Sequence, residues 1–231
     1  MYVDELLRRI AMPFSEKTID FLTENRMHDS RDWFNSHRED YIKYGSEPMK
    51  EFTAKLAPMI TEIDSLAGNV RISRIFRDAR FAKDSVFREN MWCTFGRERE
   101  LYLAMPCFYF DISPSGCEYD CGFYQAGRDS MDELRKLVTE NSPLYTAAES
   151  AYSSQKLFEL YGDEYKRNRF PSESTEKLKW LNRKNIGLTA HCCDRDIIFG
   201  DGLAEKICGD LQKIMPVYFL FIAAAESGRN E

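Results

Sequence analysis

The chain has 231 residues, of which 43% are hydrophobic, 30% charged and 13% aromatic. That is enough apolar mass to bury a substantial core and too much for a disordered chain. A formal net charge of −6 excludes a protein that coats nucleic acid through its summed charge, so no duplex nucleic-acid partner is expected.

Met1 to Pro13 is charged throughout and lacks the apolar core of a secretory signal. Ile19 and Leu22, three apart behind Ser15, predict a capped helix. Ser30 then precedes Trp33, Phe34, His37, Tyr41 and Tyr44 at helical spacing. Ser46 and Pro48 open a third helix whose buried stripe is Phe52, Leu56, Met59, Ile60 and Ile63.

The middle of the chain changes period. Met91 to Phe95 and Leu101 to Met105 are short runs of bulky residues. Cys107 to Ile112 places Phe108, Phe110 and Ile112 on one face by strict alternation. Ser113 to Gly116 turns the chain, and Cys117 to Tyr124 returns as the second strand of an antiparallel hairpin. Ser130 and Glu133 form a capping-box pattern for a helix through Val138.

Further on, Leu157 to Tyr161 and Ile186 to Cys192 read as strands and Ser174 to Leu181 as a short helix. A final helical stretch from Leu203 carries Ile207, Leu211, Ile214 and Met215, with Pro216 predicting a kink or break. Val217 to Ala225, the longest apolar run, is too short to span a bilayer. Seven cysteines without framework spacing read as reduced thiols. Together these features predict one α+β domain over 1–231, a mainly antiparallel sheet with helices packed over it, in a cytoplasmic protein without membrane attachment.

Charge is segregated along the sequence. Arg71, Arg74, Arg77, Arg80, Lys83 and Arg88 face only Asp78 and Asp84 in their stretch. Lys166, Arg167, Arg169, Lys177, Lys179, Arg183 and Lys184 face only Glu173 and Glu176 in theirs. Three readings of the first stretch stand side by side: arginines paired with carboxylates as scaffolding, a bound phosphate or carboxylate, or a solvated face. The stretch itself reads as a short strand running into an ordered loop. Arg77 and Asp78, set between Phe76 and Phe81, are expected to be structural partners of the motif, shielded from water rather than freely solvated. An anion pocket would gather Arg74, Arg77, Arg80 and Lys83 with Arg183, Lys184 and their neighbours into one positive concavity.

Arg74-Ile75-Phe76-Arg77-Asp78-Ala79-Arg80-Phe81-Ala82-Lys83-Asp84 resembles the R-I-x-R-D-x-R-F-s-K-D core of the DUF2461 family of conserved hypothetical proteins. Ser30 to Phe34, Phe123-Tyr124, Tyr165-Lys166-Arg167 and Trp180 with Arg183-Lys184 are similar to its other landmarks, so the resemblance covers nearly the whole chain. The family pattern continues D-K-[ST]-P-Y-K. Here Asp84-Ser85-Val86-Phe87-Arg88 is one residue shorter, with phenylalanine for tyrosine and arginine for lysine. The resemblance implies no reaction and no catalytic residue.

The chain carries no P-loop, no dinucleotide-binding glycine motif, no G-x-S-x-G and no H-E-x-x-H, so no cofactor is expected. Cys117 and Cys121 have no second pair at zinc-site spacing, and no metal is expected. His191-Cys192-Cys193-Asp194 is read as the end of a buried strand with core thiols, His28 and His37 as packing residues beside Trp33, and Trp180 as core. Two function classes follow: a binding domain for a small anion, or an enzyme on a phosphorylated or carboxylated substrate with Asp78 or Asp84 as general base. A carboxylate in a cleft with a raised pKa would favour the second.

Overall fold

The computed structural model describes residues 13–78, 80, 84–98 and 105–228. Helix α1 (Glu16–His28) begins where Ser15 and Thr18 close a reciprocal cap, and it ends at Asp29 in the left-handed region. The Asp29 carboxylate then accepts the backbone N–H groups of Val86 and Phe87, fastening the helix end to a distant segment. The run after Ser30 is not one helix. It comprises α2 (Arg31–Ser36), α3 (Arg38–Tyr41) and a π-helical turn (Ile42–Ser46) that leads straight into α4 (Glu47–Ile63). Ser46 is therefore helical rather than a cap.

Six antiparallel strands follow: β1 (Asn69–Ile72), β2 (Met91–Gly96), β3 (Cys107–Ser113), β4 (Gly116–Gly122), β5 (Glu159–Tyr161) and β6 (Gly187–Cys192), in the spatial order β1-β2-β3-β4-β6-β5. The hairpin β3–β4 turns through Pro114 and Ser115, with Ser113 paired to Gly116. Between the strands lie α5 (Arg128–Thr139), α6 (Pro143–Ser153) and α7 (Thr175–Leu181). After them come α8 (Arg195–Ile198), α9 (Leu203–Lys213) and α10 (Met215–Ser227). Ser130 lies inside α5, whose N-cap is Gly127, so the capping-box reading is three residues late. Pro216 sits at the break between α9 and α10, which meet at 67°. No single helix among the described residues is long and apolar enough to cross a membrane. The expected run Leu101 to Met105 lies largely outside the described residues.

The architecture is α+β. Because strand side chains alternate, one sheet face carries Cys93, Phe95, Phe108, Phe110, Ile112, Cys117, Tyr119, Cys121, Leu188 and Ala190, all buried. Helices α4, α9 and α10 pack on that face. Phe52 of α4 meets Phe110 at 4.2 Å and Tyr218 of α10 meets Phe108 at 4.4 Å. Two carboxylates pin this layer. Asp64 accepts from Tyr218 Oη at 2.7 Å and Arg97 Nε at 3.1 Å. Asp210 of α9 accepts from Tyr119 Oη at 2.7 Å, Lys206 at 2.6 Å and Lys213 at 2.7 Å.

Candidate functional site

The arginine motif lies beyond β1 as a strand-like return. Phe76 bridges to Phe87, Arg77 N donates to Val86 O, and Arg88 N donates to Ile75 O. Arg77 and Asp78 are both tied into the motif, but Arg77 is not held out of water. Arg77 is exposed and donates from Nη1 to Ser85 Oγ at 2.8 Å, while Asp78 is gripped by Arg80 through Nε at 3.0 Å and Nη2 at 2.6 Å. Adjacent atoms in sequence favour this arrangement: the Asp78–Arg80 pair closes locally, and Phe76 is 40% exposed, which leaves solvent free to reach Arg77. Arg80 holds the Asp78 carboxyl down at about 2, the opposite of what a general base at neutral pH requires. Arg74 and Asp84 are exposed. Lys83 and Phe81 lie outside the described residues.

The second basic segment sits at the other side of the sheet. Arg183 bridges to Glu164, donates to Lys179 O and Gly162 O at 2.8 Å each, and is anchored beside β5 and β6. Lys184 is exposed, its backbone N–H held by Asp163 O. β1 and β5 are opposite edges of a six-stranded sheet. With strands about 4.8 Å apart, the two segments are separated by roughly 24 Å. The structure therefore does not draw Arg74, Arg77 and Arg80 together with Arg183 and Lys184.

A different group is brought together on the sheet face turned away from α4, α9 and α10. The pairing aligns Arg71, Thr94, Tyr109, Asp120, Thr189 and Glu159 in one row across all six strands. A second row runs Trp92, Asp111, Glu118 and His191. Thr189 Oγ1 donates to Glu118 Oε1 at 2.8 Å, and His191 Nδ1 lies 3.6 Å from Glu118 Oε2. Asp111, 8% exposed, accepts from Tyr109 Oη at 3.1 Å and from the Asn90 amide. Thr94 is buried, and its hydroxyl finds no hydrogen-bond partner among the described residues.

Electrostatics distinguish this face. Burial raises the Asp111 carboxyl to about 6, against the lowering effect of its bonds from Tyr109 and Asn90, and Glu118 and Glu89 add to the rise. Asp120 is pushed well above the ordinary range by burial first and then by Glu118 and Asp111. The Tyr109 phenol is raised by burial and by Asp111. Glu89, Asn90, Tyr109, Asp111, Ser113 and Glu118 line a cleft of about 420 Å³, and the Trp92 ring stands 6.1 Å from that of Tyr109. Among the described residues no three His, Cys, Asp or Glu side chains converge as a metal-ligand set.

The model of the family described as conserved hypothetical protein (DUF2461) matches residues 17–219. The chain belongs to the DUF2461 family. A comparison with curated proteins finds no match. Within the DUF2461 motif, the shortened stretch after Asp84 has a packing role in this chain. Ser85 receives Arg77, and Phe87 is fully buried against Phe34 at 5.0 Å and Phe76 at 4.9 Å. Arg88 lies over the Trp92 ring at 5.9 Å.

Trp180 is core, as its sequence context suggests, with Nε1 donating to Glu149 at 2.6 Å. His28 and His37 stack on Trp33 at centroid distances of 4.9 and 4.0 Å. The end of β6 departs from its reading as a buried strand: His191 and Cys193 are exposed and Cys192 is half-buried. The strand reaches the sheet margin there, where α8 turns the chain away. Tyr109, Asp111, Glu118 and Asp120 were the residues missed. Their signal was the polar half of the same alternation that exposed Phe108, Phe110 and Ile112 as core.

Proposed function

We propose that this DUF2461 member is a binding domain for a small organic cation, a primary amine or amidine, held in the cleft on the outer sheet face. One observation carries the reading: Asp111, a nearly buried carboxyl raised to about 6, forms the wall of a 420 Å³ cleft. A carboxyl desolvated in this way gains most from a ligand that supplies the missing positive charge and an N–H donor. Glu89 and Glu118 share the cleft, and Tyr109 in its lining offers an aromatic face to a cation. In this reading the DUF2461 arginines are scaffolding. Arg77, Arg80 and Arg183 already give donors to Ser85, Asp78 and the carbonyls of Lys179 and Gly162.

Thermal unfolding at neutral pH tests this. Primary amines and amidines are titrated against phosphate and polycarboxylates, with sodium chloride at matched ionic strength as control. The amines are expected to raise the midpoint progressively, and Asp111→Asn is expected to abolish the rise. A rise with phosphate alone would return the site to the arginine motif, and no rise with any amine would overturn the cleft.

A further inference from the structure

We propose that Cys117 and Cys192 form a reversible disulfide between β4 and β6 on exposure to a hydroperoxide, with Cys192 reacting first. The two residues are direct partners in the β4–β6 ladder. Directly opposed residues of antiparallel strands have Cα atoms about 4.5 or 5.5 Å apart, and both spacings fall within the roughly 4.4–6.8 Å range that disulfides span. Paired residues also project from the same sheet face, so both sulfurs lie on one side, within hydrogen-bonding reach of each other.

No other cysteine has such a partner in the sheet. Cys93 pairs with Phe110, Cys107 with Gly122 and Cys121 with Leu188, while Cys208 is on α9. All seven cysteines are free. The backbone is drawn tight at this point. Gly116 has φ +135, and a Cβ there would lie 2.5 Å from Cys192 O and 3.2 Å from Cys193 Cα. The glycine lets the start of β4 press against the Cys192–Cys193 peptide.

Accessibility sets the order of events. Cys117 is 3% exposed, and burial pushes its thiol up to about 12 despite the nearby Lys206 ammonium, so it stays protonated and does not start the reaction. Cys192 is half-buried at the open end of β6. Its thiolate attacks the terminal peroxide oxygen, the O–O bond breaks, and the hydroperoxide leaves as water or an alcohol after taking up a proton. Cys192 is then a sulfenic acid. The Cys117 sulfur attacks the Cys192 sulfur, the S–O bond breaks, and the hydroxide released takes the Cys117 proton and departs as water. The hydroperoxide is reduced by two electrons, one drawn from each sulfur.

The test is peptide mapping of the full chain after hydrogen peroxide, digested with trypsin without reduction. Cys117 falls in the fragment 100–128 and Cys192 in the fragment 185–195. The expected result is a crosslink between these fragments, located by fragmentation at Cys117 and Cys192 and released by dithiothreitol. It should persist in Cys193→Ser and vanish in Cys192→Ser, and the oxidised protein should melt several degrees higher. Separate fragments with an over-oxidised Cys193 would overturn the proposal, as would a crosslink that maps to Cys193 or Cys121. Should Cys192→Ser fail to fold, the fragmentation map of the unaltered protein and of Cys193→Ser decides alone.

Discussion

Asp210 carries one of the larger single-residue contributions to this fold. It is 6% exposed, yet it is charged, because Lys206, Lys213 and the Tyr119 hydroxyl outweigh the burial that would otherwise raise its pKa. Removing the carboxylate leaves the buried Tyr119 hydroxyl without its acceptor, while Lys206 and Lys213, 31% and 58% exposed, can turn to water. Asp210→Ala is therefore expected to cost about 2–3 kcal/mol in urea unfolding, whereas Tyr119→Phe, which deletes one donor and leaves two cations on the carboxylate, should cost about 1 kcal/mol. Arg77 is the contrasting case. Its guanidinium is exposed with one bond to Ser85, so Arg77→Ala should cost about 1 kcal/mol and not the larger penalty that a buried charge would carry. Nearly equal costs for Asp210→Ala and Arg77→Ala would contradict this ranking.

Elements became legible where a period of two or 3.6 was imposed by a single buried face. The β3–β4 hairpin and α4 meet that condition, and Phe108, Phe110, Phe52, Leu56 and Ile60 all reach the core. Helix α6 does not, since only Tyr145 and Ala148 are buried along it and no stripe announces it. The π turn at Ile42–Ser46 is equally silent, because one extra residue per turn leaves no signature in residue type. The candidate cleft was hidden for another reason: its carboxylates come from β3, β4 and the segment before β2, and only strand register brings them side by side. Glycines give a sharper test of element geometry. Gly162 has φ +124, and a Cβ would lie 1.9 Å from Asn185 O, so Gly162→Ala must displace the connection into β6. It is expected to destabilise by more than about 3 kcal/mol. Gly209 sits within α9, exposed, with nothing within 4 Å of its would-be Cβ. Gly209→Ala should stabilise by about 0.5–1 kcal/mol through helix propensity alone. Thermal melts of the two variants must move in opposite directions.

Across the whole molecule, carboxylates of opposite pH behaviour are segregated on the two faces of one sheet. Asp64 and Asp210, on the helix-covered side, have lowered pKa values: burial opposes ionisation, but Tyr218, the Leu66 N–H and Arg97 overcome it at Asp64, and Lys206, Lys213 and Tyr119 at Asp210. Their stabilisation is complete above the unfolded-state value of about 4 and is lost as pH falls through the lower folded values. Asp111 and Asp120, on the outer face, are raised. There the folded state holds the proton more tightly than the unfolded chain, so stability declines as pH rises from about 4 and, for Asp111, levels off above its folded value of about 6. The Asp111 shift corresponds to roughly 2–3 kcal/mol over that interval. Stability should therefore peak in acidic solution, at about pH 4, between an acid limb set by Asp64 and Asp210 and a limb declining toward neutrality set by Asp111 and Asp120. Urea midpoints measured from pH 3 to pH 8 check this. Asp111→Asn keeps an acceptor for Tyr109 and removes the titration, so the neutral limb should flatten while the acid limb stays in place. Identical profiles for the two proteins would mean that Asp111 is not the proton-holding carboxyl of this face.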